Sequence, residues 1–178
     1  MSKQNPNTVL VTQRSENTMT SSTDSGANGP GPALWKRVLD DMEATADEYK
    51  QEGWTAVMLH PGSVQPLLPS EASQKYGIDI VVPVSEYEET RKVVSDRDDE
   101  AQIEVLCNRY SETLFSMLVY RFESDQQAIL CPFYLSGQDS IDLLELAINE
   151  ECLPVYIRSL SETPIKVSLD DPEVLVQE

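Results

Sequence analysis

His60 is the only histidine among the 178 residues, and its near-neutral titration suits it to general acid–base work. It stands just before Pro61-Gly62, with no second histidine, no Gly-x-Ser-x-Gly and no Cys-Gly-x-Cys context to complete a nucleophilic set. A histidine at a strand end that holds a loop backbone accounts for the same residue. Cys107, Cys131 and Cys152 lie 24 and 21 residues apart. That spacing is neither a local zinc chelate nor a disulfide framework. Cys107 alternates with Ile103 and Val105, which puts it on an apolar strand face. Small core hydrophobes are the expectation for all three.

Paired carboxylates recur at Asp40-Asp41, Glu88-Glu89, Asp98-Asp99 and Asp170-Asp171. Glycoside hydrolysis needs two carboxyls held roughly 5–10 Å apart across a cleft. These pairs instead fall on helix faces and turns that read as solvated. An Asp-x-Asp-x-Asp-Gly calcium loop is missing, and the seven glycines are too scattered for a phosphate-cradling loop.

Two further residues stand out. Tyr134 ends an apolar run interrupted by Pro132, and a proline there points to an edge or bulged strand. Arg158 interrupts an apolar strand in a chain short of cations, so it pairs with a carboxylate or receives an acidic ligand. His60, Tyr134 and Arg158 are therefore the candidates for ligand or partner contact. No catalytic residue, metal ligand or cofactor site is assigned, and no cofactor is expected.

The elements that must position these residues follow from periodicity. Residues 1–32 are rich in Ser, Thr, Asn and Gly and almost lack large apolar side chains, so they read as a disordered arm. Residues 33–178 read as a single α+β domain. Leu34, Trp35, Val38, Leu39, Met42, Ala46 and Tyr49 recur at three- and four-residue steps, predicting an amphipathic helix over 33–52. Strands are expected at 54–60 and 76–82, with a loop between them. Ser85-x-x-Glu88 offers a capping box for a helix ending near Val94. Strands at 102–110, 113–122 and 127–135 are joined by two- and four-residue links, which only antiparallel hairpins can use. Ser136–Asp139 offers a second cap for a helix to about 151, with Ile141, Leu144, Ala147 and Ile148 on its buried face. Strands at 153–160 and 165–169 close the chain. The economical solution is a mostly antiparallel sheet, built on the central three-strand meander, with about three helices packed on it. The first eight elements also share the order of the roadblock/profilin-like sandwich.

The charge bounds the partners. Thirty-one acidic residues against thirteen Lys and Arg give −18. Lys3, Arg14, Glu16 and Asp24 cancel within the arm, so the whole imbalance falls on residues 33–178. Such a surface repels nucleic acid phosphates and acidic lipid headgroups, so neither nucleic acid nor membrane is an expected partner. It repels itself in dilute buffer, and in molar salt, where the Debye length is roughly 3 Å, that penalty largely disappears. The reading is of a halophilic, cytoplasmic protein.

Four stretches together carry a resemblance: Trp35-x-x-Val38-x-x-Asp41-Met42 leading to Gly53-Trp54; His60-Pro61-Gly62; Gly77-Ile-Asp-Ile-Val-Val-Pro83; and Cys131-Pro-Phe-Tyr134. With Arg158-Ser-Leu-Ser-Glu162 and Asp170-Asp-Pro-Glu173, they resemble an uncharacterised family of small acidic proteins from halophilic archaea. The resemblance spans about residues 33–175. It implies a salt-rich cytoplasm and supplies no catalytic residue. The leading functional expectation is a non-enzymatic domain that binds a protein partner or self-associates. The alternatives are a small enzyme or small-molecule binder with a site at strand ends near His60, and a dimeric roadblock/profilin-like regulator.

Overall fold

The computed structural model describes residues 10–12, 31–95, 97 and 99–176. Of the arm expected to lack structure, residues 1–9 and 13–30 lie outside the described residues. Leu10–Thr12 form a short strand, β1.

The meander forms as its apolar content requires. Strands β5 (Gln102–Tyr110), β6 (Thr113–Phe122) and β7 (Gln127–Leu135) pair antiparallel, with Leu118 opposite Cys131 and Leu106 opposite Met117. Residues 114–120 of β6 are buried on both faces. Such a strand is stable only if each face is covered. Helix α1 (Pro32–Gln51) covers one of them, laying Met42, Ala46 and Tyr49 on Met117, Val119, Ala128 and Leu130. Pro32 occupies its first turn and Gly53, at φ +89°, stops it.

The strands do not form one sheet. The first sheet has the order β1-β5-β6-β7-β2, with β2 (Thr55–Met58) parallel to β7 and β1 parallel to β5. A second sheet has the order β3-β4-β8-β9, from Ser63–Leu67, Gly77–Val81, Leu153–Arg158 and Ile165–Leu169. Within it, β4 and β8 run parallel. The expected mostly antiparallel sheet therefore becomes two mixed sheets, the first of them built on the antiparallel meander. Short links specify neighbours in sequence, but β4 and β8 are brought together across 71 intervening residues. Strand β3 falls where a loop is expected, because Pro66 discourages a strand reading. It is tolerated because β3 is an edge of its sheet. This extra strand also interrupts the element order shared with the roadblock/profilin-like sandwich.

The main core fills the space between the sheets. Leu118, Ile129, Cys131 and Phe133 from the first meet Ile78, Ile80, Val155 and Ile157 from the second. Helices α2 (Val84–Val94) and α3 (Gln138–Asn149) add Tyr87, Val93, Leu143 and Ala147 to it. Neither expected cap forms. Pro83 and Gly137 precede these helices, and no side chain caps either N-terminus. Tyr87 N–H donates to Pro83 O and Ile141 N–H to Gly137 O, which are the first intrahelical bonds, so the cap position falls on Pro83 and Gly137 and not on Ser85 or Ser136. Pro132 lies two residues beyond Leu130, the last β7 residue in register with β2, so its missing N–H falls where β7 is locally an edge.

Gly77 is the tightest point of the second sheet. Its φ of +142° suits glycine, and a Cβ there would stand 2.4 Å from Pro154 O and 2.9 Å from the Tyr156 ring. Gly77→Ala should destabilise the fold by about 2 kcal/mol or more, whereas Gly62→Ala, which meets open space, should change stability by less than about 0.5 kcal/mol. Urea unfolding of both variants checks this, and equal midpoints would refute it.

Candidate functional site

The strand-end residue His60 follows β2 and is clamped by Glu86 from the first turn of α2. Its backbone N–H donates to Glu86 Oε1 at 2.8 Å, and its Nδ1 lies 2.6 Å from the same oxygen. A carboxylate only accepts, so Nδ1–H is the donor of this bond, and that is the tautomer which leaves Nε2 as the acceptor whenever the ring is neutral. Glu86 is largely buried and the imidazole is half exposed. This pair can hold the β2–β3 connection and can present Nε2 as a base, two uses of one geometry.

The other two candidates sit elsewhere. Arg158 lies on the outer face of the second sheet. It donates from Nε and Nη2 to the two carboxylate oxygens of Asp79 at 2.9 and 3.0 Å. This fork explains the arginine in an apolar strand, and Asp79 holds the guanidinium further toward its charged form. Tyr134 packs edge-on against Trp35 of α1, with ring centroids 5.3 Å apart. Gly62 N–H does donate to Val81 O, and Val81 stands in register with Arg158, so the backbones of the His60 loop and Arg158 approach each other. Their side chains nonetheless keep different partners, and Tyr134 joins neither.

The cysteines stay dispersed. Among the described residues, no group of His, Cys, Asp or Glu is arranged to hold a metal ion. Cys131 is fully buried, Cys152 is half-buried, and Cys107 donates its thiol to Val174 O at 3.7 Å.

A groove opens at the other helix. It encloses about 230 Å³ between α3, the β5–β6 hairpin and Val176. Leu114, Leu135 and Leu144 are buried in its floor, and Ile141, Ile148 and Val176 form its walls. Arg109, Glu112 and Glu145 stand at its margin. Ile141, expected in the core, is 52% exposed, because the buried stripe of α3 runs through Ser140, Leu143, Leu144 and Ala147 instead. Ile141, Leu144 and Ile148 form a second stripe beside it. The signal was legible: six aliphatic residues in a 12-residue helix span a wider arc than one buried stripe of about 100° requires.

Comparison with known proteins decides the relationship. A family model described as a family of unknown function (DUF7529) matches residues 21–177. The chain belongs to that family. The match takes in every described element except β1. No curated protein and no solved structure matches the chain.

Burial pushes the Cys131 thiol up from 9.0 to about 12. The unfolded chain ionises this thiol from about pH 9, the folded chain only near pH 12. Its contribution to stability is therefore intact below pH 9 and lost as the pH rises toward 12. Thiol labelling at pH 9 should modify Cys107 and Cys152 in the folded protein and spare Cys131 until denaturant is added. Peptide mapping that finds Cys131 modified at the same rate would contradict its burial.

Proposed function

We propose that this chain is a non-enzymatic interaction domain that receives a protein partner in the α3 groove. The observation that carries the reading is an aliphatic groove open to solvent at Ile141 and Val176; the other large apolar residues exposed among the described residues, Val84 and Leu160, stand outside its lining. Removing the exposed surface of Ile141, Ile148 and Val176 from water would favour association at about 25 cal/mol per Å². A volume of about 230 Å³ suits one or two bulky side chains of a partner rather than a large cofactor.

The formal net charge of −18 supports a place of work in a salt-rich cytoplasm. Among the described residues, no helix is long and apolar enough to cross a membrane. At low ionic strength the acidic surface repels itself, and at multimolar KCl that repulsion is screened within a few ångströms, roughly 3 Å at 1 M.

Two measurements test the proposal. Ile141→Asp should leave the protein folded at a cost of about 1 kcal/mol, since roughly half of the side chain is already exposed. The same variant should lose a stoichiometric partner that wild type retains through affinity purification in KCl. A partner retained equally by both proteins would remove the groove as the binding surface. Separately, the melting temperature should rise between ~0.1 M and ~3 M KCl as repulsion is screened. A flat dependence would end the halophilic reading.

A further inference from the structure

We infer that the outer edge of β5 is a strand-addition site, held in this structure by the chain's own Leu10–Thr12, and that an extended segment of a partner protein binds there by displacing it. The inference is independent of what fills the α3 groove. Strand β1 stands at the end of the first sheet and pairs parallel with β5, Leu10 opposite Glu104 and Thr12 opposite Leu106. On its other side β5 is paired along its whole length, from Gln102 opposite Arg121 to Tyr110 opposite Thr113. Strand β1 therefore covers three of the nine residues of β5. Among the described residues, no strand pairs with the rest of that edge.

An open strand edge carries a row of N–H and C=O groups that another extended chain can bond. Here the edge is also preorganised. Its backbone is fixed by the ladder to β6 and by both cores, with Ile103 and Val105 in one and Leu106 against the other. Strand β1 is less firmly built in. The family match starts at residue 21, so β1 lies outside the part of the chain that the family shares. It runs parallel to β5 and is separated from it by α1 and α2, so no hairpin can join the two. A three-residue ladder sets few hydrogen bonds against the entropy of ordering the segment. Tethering, which raises the local concentration of β1, supplies what the ladder lacks. A segment that pairs along more of β5 makes more bonds and competes with it.

The resident strand states the chemistry that the edge accepts. Val9-Leu10-Val11-Thr12 is uncharged, all but Leu10 are β-branched, and the nearest charges in sequence are Lys3 and Arg14. The incoming segment is accordingly extended, parallel to β5, rich in β-branched residues and free of carboxylates, which a chain of −18 would repel.

The test uses the full chain and a fluorescein-labelled peptide of residues 6–15, read by fluorescence anisotropy at ~2 M KCl. Leu10→Pro/Val11→Pro disables β1: strand N–H groups point toward and away from a neighbour in alternation, so one of the two prolines removes a ladder donor. The peptide should bind this variant at least ~10-fold more tightly than wild type, where the tethered strand competes. A peptide carrying the same two prolines should bind neither protein. Hydrogen exchange should show peptide-dependent protection within Gln102–Tyr110 and none at the other edge strands, β2, β3 and β9. Adding Ile141→Asp to the proline variant should change peptide affinity by less than ~3-fold. Circular dichroism melts confirm folding, and Leu10→Gly/Val11→Gly, which weakens the strand while keeping every N–H, gives the same comparison if the proline pair unfolds the chain. Equal binding by wild type and variant, protection at another edge, or no binding overturns the proposal. A loss of ~10-fold or more on Ile141→Asp puts the peptide in the α3 groove, which overturns the β5 site and leaves the groove reading standing.

Discussion

Everything in this molecule follows from a meander that is apolar on both faces. Along β6, Leu118 and Tyr120 turn toward one core, and Met117 and Val119 turn toward the other. A fully buried side chain of this size is worth roughly 1.5–3 kcal/mol, so leaving either face in water would cost more than a small domain's net stability. The amphipathic stripe of α1 answers one face and the second sheet answers the other. Helices α2 and α3 contribute to the core that the two sheets share.

The second sheet is held by different means from the first. Its parallel β4–β8 pair cannot be nucleated by a hairpin, since the whole meander lies between the two strands. Close approach at Gly77 and the Asp79–Arg158 fork fix these strands from opposite ends. Strand β3 then adds along the free edge of β4, and the His60–Glu86 clamp ties the crossing between sheets to α2. Residues that look chemical in the sequence are thus absorbed into holding two sheets in place.

Helix α3 keeps an apolar face that the core does not absorb. This helix presents one stripe to the shared core and a second to the groove, and its solvent-facing positions are acidic. In a chain of this charge the acidic surface is ordinary, whereas an open aliphatic groove is not. The juxtaposition of the two distinguishes this face from the rest of the surface.

The helices, the meander and its hairpins were legible in the sequence because each is a local pattern: a 3.6-residue stripe, alternating faces, two- and four-residue turns. Even the pairing of Arg158 with a carboxylate could be anticipated from the scarcity of cations. Strand β3 was not legible, because Pro66 reads as a breaker until the edge position that tolerates it is known. The parallel joining of β4 to β8, the division into two sheets and the displacement of Ile141 from core to groove were decided by tertiary packing alone. Local periodicity says how wide a helix's apolar arc is. Only the neighbours that arrive from distant parts of the chain decide which portion of that arc is buried.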